Sequence, residues 1–434
     1  MTPTDASAVG RRRSAIGSPG PADSRRPTHR FPYLTAILLS AAIAGLSIHN
    51  KLTANLYSEN FNIARALAAG RGFADAVGEP TGPTAWNAPT YPLIQAFLLR
   101  LGGGRREVVM AALACLHVLT LIGTAVLILA AAGYTTRRIG PVLTAVIFLL
   151  ALLYHFSFWF QVAQDCWLML LMMDLLIAGC FWFGPLDSWK RAAGWGLFGG
   201  ICAMANPAIA FTWGILTLVL GLGTRFRTAV AIVVAAVVLS PWMIRNYVVF
   251  GRLIPVKSNL AFELYQSQCL QPDGLMQATA AATHPSTPGS RERQEYRKLG
   301  EIAYLDRKWQ QFCDAVADDP GNFVDRVASR FLGATVWYVP HNRPQEARRP
   351  WLLWLKRFTH PLPFLALVFL IYSGIFRPLG WTQWTVIGVY LLYLTPYVAA
   401  SYYERYTVPL VGVKVLLVIW AVDRFVDSLG AASQ

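Results

Sequence analysis

The stretch GWGLFGGICAMANPAIAFTWGILTLVLGLG, residues 194–223, decides how the chain is built. It is thirty residues long, apolar almost throughout, and broken at its centre by Asn206-Pro207. A membrane crossing takes about 20 apolar residues, so the stretch is too long for one ordinary span and short for two. The count matters because it sets the side on which everything downstream lies. Other apolar runs of near-membrane length occupy 31–48, 108–132, 139–156, Cys166–Phe183, 229–244, Leu362–Phe376, 384–400 and 407–422. With two short helices at 194–223, the short loops of one side carry Arg137, Arg138, Lys190, Arg191, Arg225, Arg227 and Arg377. Those of the other side carry only Arg405. Basic residues gather in cytosolic loops, so the two-helix reading is preferred. The expected fold is an all-α polytopic membrane protein of about ten transmembrane helices, two of them short, with both ends in the cytosol.

Composition agrees. Of 434 residues, 55% are hydrophobic and 14% charged, where a soluble domain carries about 25% charged residues. Mean hydropathy is +0.41. The net charge of +15 could suggest nucleic acid, but no basic run interleaves with aromatics. The basic residues flank the apolar runs and read as orientation signals, so no nucleic-acid partner is expected.

Residues 1–30 form a basic tail with six arginines, read as a disordered cytosolic segment. The run 31–48 ends in His49-Asn50-Lys51 without a small-residue cleavage site, and reads as an uncleaved first span. The region 31–246 is then an N-terminal transmembrane part that includes an outer loop, 51–107. An outer, mostly helical domain at 247–360 follows, then C-terminal transmembrane helices at 361–424 and a cytosolic tail at 425–434. Two long polar segments thus share one face, which suits an enzyme with an external active site. Transporters are usually built from internal repeats with short loops, and no repeat is visible here.

The first outer loop opens with a short helix. Ser58 suits its N-cap, Phe61, Ala64, Leu67 and Ala68 form an apolar stripe, and Gly70 suits the position after the C-cap. Glu59, in its first turn, is either an acid complementing the helix dipole or a general base at the membrane surface. The segment 81–92 holds three prolines within ten residues, together with Trp86 and Tyr91, and leads to an apolar run at 93–101 suited to the interface.

The ordered set Glu59, Ile63-Ala64, Leu67, Gly70-Arg71-Gly72-Phe73, Gly82-Pro83-Thr84-Ala85-Trp86, Pro89 and Tyr91-Pro92 resembles bacterial membrane glycosyltransferases of the glycosyltransferase C superfamily. The branch is the one related to protein O-mannosyltransferases and the aminoarabinose transferases of lipid A. Pro241-Trp242-Met243-Ile244-Arg245-Asn246-Tyr247 resembles the exit of the family's last span before its outer domain. Glu404-Arg405-Tyr406 with Pro409 resembles its Arg-Tyr-x-x-Pro signature. The resemblance implies a bacterial inner-membrane enzyme that takes a sugar from a polyprenyl-phosphate donor at the periplasmic face. It implies inverting transfer of that hexosyl or pentosyl group to a lipid, glycan or protein acceptor. An acid in the first outer loop is the base; family members usually carry Asp there, and this chain has none between its first span and Asp75, which leaves Glu59. Arg405, Arg245 and Lys257 are candidates to hold the donor phosphate, with interfacial snorkelling as the alternative for each. Trp86 and Tyr91 are candidate substrate-loop residues.

Asp165, near the outer end of its span, is a reserve carboxylate. Asp174 and His117 lie mid-span, where a hydrogen-bonded role between helices is preferred to chemistry. Glu263 reads as holding the outer domain together, and 296–316 as one solvated helix. No His, Cys and Asp cluster at metal spacing, so no metal site follows, although a divalent ion at the phosphate stays open. Cys269 and Cys313 are the two cysteines of the outer domain and, in an oxidising compartment, are expected to pair as a disulfide. Two rival functions are kept: a lipid or glycolipid transporter without bond chemistry, and a scaffold whose outer domain binds cell-wall glycan.

Overall fold

The computed structural model describes residues 58–135, 140–155 and 165–432, plus isolated positions before 58. The basic tail and the expected first span at 31–48 lie outside the described residues, isolated positions apart. Every regular element among the described residues is helical, and the only β-type contacts are two isolated bridges. Among the described residues four helices are long and apolar enough to cross a membrane: Arg106–Gly133, Cys166–Phe183, Arg225–Phe250 and Pro350–Phe376. The last is interrupted near His360, so that Pro350–Thr359 is a separate short helix ahead of Leu362–Phe376.

The stretch 194–223 does fold as two short helices, Trp189–Ala205 and Pro207–Leu220, hinged at Asn206. At 1.5 Å per residue they are about 25 and 21 Å long, against a hydrocarbon core of about 30 Å. Asn206 accepts hydrogen bonds on its side chain from the Ala208 and Ile209 amides, and Pro207 fills the first helical position, where no amide is needed. Sequence-local chemistry therefore fixes the break. Glycines let the hairpin close: Gly199 lies against Trp213, Gly196 against the Ala231 backbone, and Gly200 against Val238 of the long helix Arg225–Phe250. The Trp195 indole donates to Thr217 at 2.8 Å across the hairpin. Since Gly200 is level with Val238, the apex at Asn206 is level with the Ile244–Arg245 turn.

The legs leave one end of the bundle and return to it. At the far end, Arg227 donates to the Leu186 and Asp187 carbonyls (3.0 and 2.7 Å), and Arg424 to those of Arg377 and Pro378 (2.8 and 3.1 Å). Within the bundle Asp174 accepts from the Thr124 hydroxyl, joining two helices as the sequence suggested.

At the near end sit the first loop and the domain 247–360. The loop helix runs Glu59–Ala68 with Ser58 as N-cap. Its C-terminus closes with Gly70 N–H on Leu67 and Arg71 N–H on Ala66, Gly70 standing at φ +78° where a side chain would be strained. Helix Thr90–Leu101 buries Tyr91, Gln95, Ala96 and Leu99, and exposes Leu93, Phe97 and Leu101 along the opposite stripe, the form of an interfacial helix. Arg330, 1% exposed, docks this domain by donating to the Val398 and Ala399 carbonyls (2.7 and 3.0 Å) at the end of helix Trp381–Ala399.

Two expectations are corrected. The solvated helix at 296–316 is two helices, Arg291–Leu299 and Glu301–Asp318, because Gly300 takes φ +77° and turns the chain. Their facing sides are buried: Lys308 pairs with Glu292 and Glu295 at 2.7 and 2.9 Å beside the Tyr265 and Tyr304 rings. Cys269 and Cys313 are free thiols. The Cys269 Sγ faces the Gln311 carbonyl at 3.9 Å, two residues short of Cys313 on the helix, and partial burial raises its pKa.

The hairpin packing makes a matched test. A Cβ on Gly196 would stand 2.3 Å from the Ala231 carbonyl oxygen, whereas one on Gly194 meets nothing within 4 Å. Gly196→Ala should lose about 1–3 kcal/mol by overpacking, while Gly194→Ala should be neutral or gain up to about 1 kcal/mol. Thermal unfolding of the two purified variants checks this; equal melting temperatures would contradict the packing.

Candidate functional site

A cavity of about 380 Å³ opens at the near end of the bundle, between the first loop, the domain 247–360 and the hairpin apex. Glu59, Asp165, Lys257, Glu263, His284 and Arg405 reach it, with Trp86, Tyr397, Tyr403 and Tyr406 among its rings. Five residues singled out from the sequence thus meet here: Glu59, Trp86, Asp165, Lys257 and Arg405. Glu263, expected only to brace the domain, also faces the cavity; Asn259 donates to its Oε1 at 3.3 Å, and its buried Oε2 has no hydrogen-bond partner.

Local structure positions each group. The Ser58 cap starts the helix on which Glu59 occupies the first turn, so its carboxylate leaves at the cavity mouth. His284 comes from the domain 247–360. Its Nδ1 accepts from the Ser286 amide at 3.2 Å, so the neutral ring carries its proton on Nε2, and Nε2 stands 3.4 Å from Glu59 Oε1. The ring is wedged edge-on against Trp86 and Phe262. Asn206 and Pro207 line the cavity at the apex, which brings the amino end of Pro207–Leu220 to its wall. A helix amino end favours negative charge.

Arg405 belongs to the 3-10 turn Glu404–Leu410. Its guanidinium lies over the Tyr403 and Tyr406 rings at 5.1 and 5.7 Å, and its buried Nε has no hydrogen-bond partner. Its neighbour Glu404 points the other way, into a buried pair with Lys356 at 3.0 Å that Tyr338 joins at 2.8 Å. That pair anchors the turn and leaves Arg405 toward the cavity. Burial, opposed by the Met276 carbonyl and reinforced by Arg405, holds His341 below its ordinary pKa, so this cavity-lining ring is neutral at pH 7.

Two expected residues do other work. Arg245 is outside the cavity: it donates to the Thr84 and Phe73 carbonyls (2.8 and 2.9 Å) and to Asn246, among the Phe73, Trp242 and Phe250 rings. Two of its N–H groups go to carbonyls of the first loop, so it fastens that loop to the long helix. Tyr91, 2% exposed, accepts from the Trp167 indole at 3.2 Å and lies in the core beneath the cavity. No group of three or more metal-ligating side chains occurs among the described residues.

Sequence reasoning missed the two contacts that assemble the site. One is His284 beside Glu59. The other is Glu301, 5% exposed, which accepts from Thr84 Oγ1, the Ala85 amide (2.8 Å), Ser258 Oγ (2.7 Å) and Tyr296 OH (2.8 Å). Glu301 is one acid in a charged run, and its partners are as far as 217 residues away, so nothing local marks it.

Glu301→Ala strands several buried donors, each costing about 1–3 kcal/mol when unpaired. The variant should therefore be about 3 kcal/mol or more less stable in chemical unfolding followed by tryptophan fluorescence. Wild-type stability would show that the loop is held elsewhere. Compared with models of protein families, with curated proteins and with solved structures, the chain matches none.

Proposed function

We propose that the protein is a membrane glycosyltransferase that moves a sugar from a polyprenyl-phosphate donor to an acceptor hydroxyl at the outer face of a bacterial inner membrane. The observation that carries this is one cavity walled by the Glu59 carboxylate and by the Arg405 and Lys257 cations, at the end where an amphipathic helix and the outer domain meet the bundle. Glu59 takes the proton of the acceptor hydroxyl. The hydroxyl oxygen forms its bond to the anomeric carbon as that carbon's bond to the phosphate oxygen breaks, with inversion. The charge that grows on the departing lipid phosphate meets Arg405, Lys257 and the amino end of Pro207–Leu220. His284 holds one oxygen of Glu59, leaving the other for the acceptor.

The reading includes ten spans with both chain ends in the cytosol. The alternation of the described legs supports it, as do the two helices at 194–223. The transporter reading draws on the same broken hairpin, since transporters use discontinuous helices. Those meet near the bilayer midplane, however, and this break is level with the Ile244–Arg245 turn near the end of its long neighbour. Glycosyl transfer is therefore preferred.

Glu59→Gln keeps shape but accepts no proton, so transfer from the lipid donor should fall by about 10² or more, while retention of radiolabelled polyprenyl phosphate stays near normal. Turnover close to wild type would sink the assignment of the base. Orientation is tested separately in a background without native cysteines. An impermeant thiol reagent on intact cells should label Glu79→Cys and Lys298→Cys, both at exposed sites, and spare Lys190→Cys; the reverse pattern would overturn the outward-facing cavity.

A further inference from the structure

A second slot lies apart from the main cavity, between helices Pro141–Tyr154 and Val411–Ala432 and the start of Leu362–Phe376, with a volume of about 90 Å³. Its polar end is made by Lys414, His155, His360 and Tyr154. Lys414 is 8% exposed and lies 5.2 Å from the Tyr154 ring. Among the described residues no carboxylate comes within ion-pairing distance of it: Glu404, the nearby acid, is held by Lys356 at 3.0 and 3.2 Å. His360, 6% exposed, shares a 2.6 Å hydrogen bond with Tyr154 through Nδ1.

The rest of the slot is apolar, and its direction is informative. Tyr154 ends its helix and Lys414 sits in the first turn of its own, so the polar groups stand at the near end of the bundle. Leu150 and Val418 line the slot one turn deeper. Both are only half-buried, so the slot opens sideways on the apolar surface of the bundle. A cation at headgroup depth above an apolar groove running inward is the complement of an anionic lipid. A buried ammonium without a counter-ion is costly, and a phosphate supplies one. A free inorganic anion would use the cation and leave the groove bare.

We propose that this slot is a second lipid site, in which Lys414, with His360 and Tyr154, holds the phosphate of one anionic phospholipid whose chain lies along Leu150 and Val418. The site is independent of the glycosyl-transfer reading, since it shares no lining residue with the main cavity.

Native mass spectrometry of the full chain in detergent, titrated with phosphatidylglycerol and separately with phosphatidylcholine, tests it. Wild type should bind one phosphatidylglycerol at least tenfold more tightly than one phosphatidylcholine. Lys414→Met should remove that preference and Lys414→Arg should keep it. Leu150→Trp fills the groove without touching the charge, and should weaken both lipids at least tenfold even if the lysine variant does not fold. Unchanged phosphatidylglycerol binding in Leu150→Trp, or no headgroup preference in wild type, would overturn the proposal. So would full displacement of the lipid by an equal concentration of inorganic phosphate.

Discussion

The site depends on one buried carboxylate. Glu301 gathers a hydroxyl and an amide of the first loop, a hydroxyl from the irregular segment after the long helix, and a tyrosine of its own domain. Three parts of the chain that are far apart in sequence are thereby held within one hydrogen-bonding shell. A carboxylate can accept several such bonds, and each donor left without it would be stranded in a place water does not reach. Arg245 fastens the same loop from below through the Thr84 and Phe73 carbonyls. Between them the loop has no freedom to lift, so Trp86 packs against Phe262, Tyr296 and Tyr304, and Glu59 is carried to the cavity.

A similar division of labour recurs at Glu404 and Arg405. The first residue turns into the protein, to Lys356 and Tyr338, and the second turns to the cavity across two tyrosine faces. The buried pair is expensive to desolvate, and its value lies in fixing the turn rather than in net stability. Aromatic faces hold a guanidinium in place while leaving its donors for a ligand. The cationic wall is thus set by a residue that never touches it.

Much of the fold was legible because its causes are local. The Ser58 cap, the break at Asn206-Pro207 and Gly70 after a helix end each act within a few residues, and each appears where the sequence places it. The cluster of Glu59, Lys257 and Arg405 was legible in part: the carboxylate and the two cations could be named, but not their common cavity. Arg245 shows why residue type was insufficient. An arginine at a span end is equally suited to a lipid phosphate or to backbone carbonyls, and the loop that folded over it decided the matter.

By itself the sequence determined a helical membrane protein, a hairpin broken at Asn206-Pro207, a loop helix beginning at Glu59 and a second polar domain after the long helix. These follow from hydrophobic runs and short-range capping, which need no knowledge of the rest of the chain. Tertiary structure alone decided that His284 stands beside Glu59, that Glu301 fixes the loop, that Tyr91 is core, and that Lys414 faces an apolar slot. Those outcomes depend on which groups are left unpaired after hundreds of residues have packed. Hydrogen-bond satisfaction is a property of the whole fold, and no window of sequence contains it.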